Sequence, residues 1–168
     1  MKSNKGFTIV ELLSTFVLSS VIIMLLFQLI INLKDIYQSS GIKTDLLNKQ
    51  YIITNKIYTD LNEKKAINID YCDRSLICID FTFQDGSMKR FEADEVNKTI
   101  SYGDSTIKLT NGSYFDDISV STTDLQTDEK IFNMNVPIYN TLLKNENFGI
   151  NIVYTYNQNE TTNNTETN

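Results

Sequence analysis

From Leu12 to Leu33 the chain carries no charged side chain. As a helix rising about 1.5 Å per residue, that run spans roughly 33 Å, close to the roughly 30 Å hydrocarbon core of a bilayer. Lys2 and Lys5 precede it, so the positive-inside tendency places the N-terminus in the cytoplasm and everything after Leu33 outside. A secretory signal would have a shorter apolar stretch followed by a small-residue cleavage site. Neither is evident, and the helix is expected to be retained.

The remainder is far more polar. Within 168 residues there is room for one compact domain and a long accessory element, not for two large domains. The formal net charge of -6, with no stretch that clusters Lys or Arg among aromatics, argues against direct nucleic-acid binding. The chain has no His, no Gly-x-Ser-x-Gly turn and no phosphate-cradling glycine loop, so it is expected not to be an enzyme and to need no cofactor.

Glu11 is the exception to a plain anchor. A carboxylate near the start of a membrane segment is costly unless it is paired. The stretch Lys5-Gly6-Phe7-Thr8-Ile9-Val10-Glu11-Leu12-Leu13 resembles the class III signal of type IV prepilins and type II secretion pseudopilins. The resemblance implies cleavage after Gly6 by a prepilin peptidase, N-methylation of Phe7 as the new N-terminus, and an assembly role for Glu11. In that role the Glu11 carboxylate would pair with the terminal ammonium of a neighbouring subunit, both charges then lying in low dielectric. Many major pilins carry a proline about 22 residues into the mature chain, whereas Gln28 stands there, so no proline kink is expected.

Beyond the anchor, Leu33, Tyr37, Leu47, Tyr51, Tyr58 and Leu61 fall on one helical stripe, with Ser40, Thr44 and Thr54 on the same face. That stripe is expected to pack on the domain. Gly41 is a tolerated glycine or, with Ser39 and Ser40, a flexible point. After Asn62 the pattern turns to short alternating runs. Candidate strands are Ala66 to Cys72, Leu76 to Phe83, Met88 to Phe91, Thr99 to Tyr102, Thr106 to Leu109, Tyr114 to Ser121, Ile131 to Val136 and Phe148 to Tyr156. Asp85-Gly86 and Asn111-Gly112 are turn signals.

The expected fold is α+β, a pilin-like lollipop in which a long N-terminal helix packs on an antiparallel β-sheet head. Its parts are a leader over 1–6, a transmembrane and assembly helix over 7–33, an amphipathic helix over 34–65, a β-rich extracytoplasmic head over 66–156 and a disordered tail over 157–168. Tyr51 to Lys65 with Asp60-Leu61, then Ile79-Asp80-Phe81 and Ile100-Ser101-Tyr102, resembles W-type minor pilins and J-type pseudopilins.

Cys72 and Cys78 flank a five-residue loop, and three readings stay open: a disulfide, two buried free thiols or a metal pair. Asp116, Asp117, Asp124, Asp128 and Glu129 concentrate acid without the alternation of a calcium loop, and no metal site is expected.

The expected function is a structural subunit, a minor pilin or pseudopilin, of a type IV pilus or of a type II secretion or competence pseudopilus. Its partners are other pilin subunits through the N-terminal helix, the peptidase, the inner-membrane assembly platform and the membrane. Its expected place is a single-pass membrane protein assembled into a surface or periplasm-like filament. The alternative is an anchored extracytoplasmic binding protein that never polymerises.

Overall fold

The structure, a computed structural model, describes residues 8–72, 77–126, 129–143 and 146–158. Among the described residues one helix, α1 (Ile9–Lys64), is followed by strands. These are β1 (Ala66–Tyr71), β2 (Ile77–Phe83), β3 (Met88–Asp94), β4 (Thr99–Tyr102), β5 (Ser105–Lys108), β6 (Ser113–Phe115), β7 (Ser119–Gln126), β8 (Glu129–Asn140) and β9 (Asn147–Asn157). The fold is α+β, with antiparallel sheets. The chain divides into two compact units, Met1–Gly41 and Ile42–Asn168.

In the first unit the described residues after Thr8 are continuous helix through Gln28 and on to Gly41. The Gly41 position is helical, and a Cβ added there would meet nothing within 4 Å.

The second unit contains two sheets where the sequence suggests one. Strands β1 to β5 form a meander in sequence order, and β8 forms the centre of a second sheet with β6 and β7 on one side and β9 on the other. The expected strand from Tyr114 to Ser121 is in fact two. Phe115 pairs with Ile138 and Ser119 with Asn135, so three residues face only Val136 and Pro137. Pro137 has no N–H for a ladder, and the opposing chain turns through Asp117 at φ 50°. Asn157, expected in the tail, ends β9 opposite Glu129; residues 159–168 lie outside the described residues.

Alternation assigns the faces. On β2, Ile77, Ile79, Phe81 and Phe83 are buried, and on β8, Phe132, Met134, Val136 and Ile138 are buried. Phe81 meets Tyr102 of its own sheet edge-on at 6.0 Å and Phe132 of the second sheet edge-on at 5.6 Å. One ring thus joins the two sheets.

The helical face that enters this core matches the expected stripe only at its end, where Leu61 is buried and Tyr58 packs against the core. Leu46, Ile53, Ile57 and Leu61 are buried, whereas Leu47 and Tyr51 are 46% and 66% exposed. In the first unit, Leu33 and Tyr37 are exposed as well. Two apolar stripes satisfy the helical period, and at 3.6 residues per turn Leu46 and Leu47 lie about 100° apart. Packing selects the aliphatic stripe, because a buried tyrosine hydroxyl needs a partner that an exposed one finds in water.

The helix ends at Lys65, whose φ of 52° is the left-handed conformation that glycine usually supplies. Gln84 N–H closes the end by donating to the carbonyls of Lys64 and Lys65, and Tyr154 Oη donates to that of Leu61. A non-glycine residue there costs about 1–2 kcal/mol. Lys65→Gly, even after glycine's own entropy of about 0.5–1 kcal/mol, is expected to stabilise the unit by up to about 1 kcal/mol in urea denaturation. A lower midpoint would count against this account.

The β2–β3 hairpin turns at Asp85-Gly86, with Gly86 at φ 78°. Asp85 Oδ1 accepts the Ser87 hydroxyl and the Ser87 N–H (2.8 Å), and Lys64 lies 3.2 Å from Oδ2. The Ser87 hydroxyl and N–H, with help from Lys64, hold the Asp85 carboxyl down at about 2. A depressed carboxyl stabilises the fold above its unfolded value and ceases to do so as pH falls through its folded one. Carboxyl NMR is expected to give a midpoint near 2 for Asp85, rising towards about 3.9 in Ser87→Ala.

Candidate functional site

The site the sequence singles out begins at the start of α1. Lys5, Gly6 and Phe7 lie outside the described residues, and Thr8 is the first described residue. Thr8 precedes the first helical residue, and the first amides of a helix have no partner within it. Glu11 Oε2 accepts the Thr8 N–H at 3.0 Å and the Thr8 hydroxyl at 3.1 Å, while Thr8 Oγ1 accepts the Glu11 N–H at 3.3 Å. This reciprocal arrangement is a capping box. Its signature, Thr8-Ile9-Val10-Glu11, stands in the sequence and gives Glu11 a local role beside the expected assembly charge. Among the described residues Glu11 Oε1 accepts nothing, so one oxygen caps the helix and the other is free for a cation.

After Glu11, large apolar side chains are exposed all round the helix: Phe16 and Met24 are 75% and 71% exposed, and Leu25 and Phe27 more than half. A helix apolar on every side requires an apolar surrounding. By length and composition α1 is able to cross a membrane. Three of its hydroxyls are satisfied within the helix, because Ser14 and Thr15 donate to the Glu11 carbonyl at 2.9 Å and Ser20 to that of Val17 at 2.7 Å. Such back-bonding gives those three hydroxyls a partner in a medium that offers none.

In the second unit Cys72 and Cys78 are joined in a disulfide, with Cα atoms 5.0 Å apart. Cys72 N–H donates to the Cys78 carbonyl at 3.0 Å, continuing the β1–β2 ladder beyond Tyr71. Residues 73–76 lie outside the described residues.

Asp70 faces Asp80 across β1 and β2, but Arg90 holds both Asp80 oxygens at 2.7 and 2.8 Å. The Arg90 hydrogen bonds outweigh burial and keep the Asp80 carboxyl below its usual range. Among the described residues no three His, Cys, Asp or Glu side chains converge as metal ligands; Asp128 lies outside them.

One ion pair sits at the core. Lys89 occupies an inward position of β3, two residues before Phe91, and its ammonium lies 2.8 and 2.7 Å from the oxygens of Asp60 on α1. Asp60 is only 7% exposed. Tyr102 is fully buried beside it, and its hydroxyl, near Asp60 but off hydrogen-bonding geometry, has no partner among the described residues. Burial first, and then the Asp60 charge, push that hydroxyl far above the usual tyrosine range. The pair has the character of a structural tie between helix and sheet.

Compared with protein-family models, curated proteins and solved structures, the chain matches none.

Proposed function

We propose that the chain is a structural subunit of a type IV pilus-like filament, a minor pilin or pseudopilin cleaved after Gly6 and assembled through α1. The observation that carries this reading is a helix apolar on all sides from Leu12 to Leu33 with one carboxylate, Glu11, at its start. A simple anchor uses Glu11 only to cap the helix, which an uncharged glutamine would also do, and has no further use for the charge. A filament subunit does, because the terminal ammonium of a processed neighbour would meet the Glu11 oxygen that Thr8 leaves free.

The test is N-terminal sequencing of protein extracted from membranes of peptidase-competent cells. The mature chain is expected to begin at Phe7, and Gly6→Ala is expected to retain the leader. An intact Met1 would sink the reading and favour the non-polymerising anchor.

Because Glu11 also caps the helix, Glu11→Val confuses two losses. Glu11→Gln keeps the capping box, which accepts glutamine, and removes only the charge. It is expected to be processed normally but to fall several-fold in sheared-filament immunoblots. Normal incorporation would refute the charge pairing.

A further inference from the structure

The second sheet turns a face to solvent that carries no charge. From Ile131 to Tyr139 the outward residues of β8 and their cross-strand neighbours are uncharged, in a chain of net charge -6. Ser119, Asn135 and Asn151 form one row across three strands, and Ser121, Asn133 and Val153 form the next. At the far end Tyr114 stacks on Tyr139 at 5.5 Å. Solvated surfaces ordinarily carry about a quarter to a third charged residues, so a run of this size without one marks a contact surface.

The same face leads into a groove of about 600 Å³ within the second unit, lined by Gln50, Asn135, Asn147 and Asn151 with Leu47 and Pro137. Among the described residues none of these four side-chain amides makes a hydrogen bond within the chain. The charges at the groove, Lys43 and Glu146, neutralise each other at 2.7 Å.

The occupant follows by chemistry. An anion would need cationic side chains free to meet it, and a cation free carboxylates; among the described residues the charges lining the groove already pair. An apolar partner would strand amides, each able to donate two hydrogen bonds and accept two, at about 1–3 kcal/mol for every one left unpaired. A protein is the rival occupant, since interface cores are also depleted of charge, and a photo-crosslink from position 133 is the arm that detects it. The chemistry that best answers unbonded amides beside stacked tyrosines is an uncharged ligand dense in donors and acceptors, with apolar C–H faces to lie on tyrosine and leucine. We infer that the outward face of the second sheet and its amide-lined groove bind a neutral polysaccharide. This does not depend on filament assembly.

The test uses the full chain in detergent micelles, sedimented with microcrystalline cellulose, with chitin, and with polygalacturonate as an anionic control. Retention is expected on cellulose or chitin but not on polygalacturonate, and it should be unchanged by raising the salt, since no charge is screened. Asn133→Glu, at an exposed position, and Asn135→Ala with Asn151→Ala are each expected to lower retention at least tenfold with the unfolding midpoint preserved. Lys108→Glu, on the edge of the other sheet, should leave it unchanged. Failure on both neutral polymers, retention abolished by salt, or indifference to the face variants would overturn the assignment. So would a photo-crosslink from position 133 to a protein in cells when neither polymer is retained.

Discussion

Phe81→Ala is expected to destabilise the second unit by about 3–5 kcal/mol. The ring is fully buried and contacts Tyr102 and Phe132 edge-on, one from each sheet. Its removal deletes the transfer energy of the side chain and leaves a cavity that two hydrogen-bonded sheets cannot easily close. Against a total stability of about 5–15 kcal/mol, that is a large share. Near-UV circular dichroism of the full chain in detergent, followed in urea, reads the loss. Phe81→Leu keeps most of the apolar volume and forfeits chiefly the ring contacts, each about 0.5–1.5 kcal/mol beyond burial, so it should fall between the alanine variant and the parent. An alanine variant within about 1 kcal/mol of the parent would show that the sheets are held together elsewhere.

Lys89→Met is expected to destabilise by about 3 kcal/mol, because it leaves the Asp60 carboxylate buried without its cation. We take the low end of the usual range since Lys89 keeps some contact with water. Replacing both partners, Asp60→Leu with Lys89→Met, should recover most of that loss, as apolar pairs of similar volume often equal a buried ion pair. A double-mutant cycle in urea measures the coupling. If the double variant is as unstable as Lys89→Met alone, the loss does not come from an unpaired charge on Asp60.

Much of the local structure was legible. Alternation located the strands of the meander, and Asp85-Gly86 announced a hairpin whose glycine adopts the left-handed conformation. Asn111-Gly112 also forms a turn, with Ser113 N–H donating to the Thr110 carbonyl. It does not make a hairpin, however. It carries the chain from the edge of the first sheet into the second, and nothing in two turn residues says which sheet the next strand joins. The break between β6 and β7 was likewise invisible in Tyr114 to Ser121, because its cause is Pro137 on the strand opposite. The capping box at Thr8 and Glu11 differs from these, since its spacing is legible within four residues and needs no tertiary contact.

The sequence by itself determined the apolar helix, the isolated carboxylate at its start and the change to a β-rich remainder, since these follow from periodicity and charge within a few neighbouring residues. Only the tertiary structure decided which stripe of α1 is buried, that Lys89 points inward to Asp60, that Phe81 joins two sheets, and that the uncharged residues of three strands lie side by side. The physical reason is range. A helical or pleated period fixes where a side chain lies relative to its own element, but burial and pairing depend on what another element presents across the gap, often many residues away in the chain.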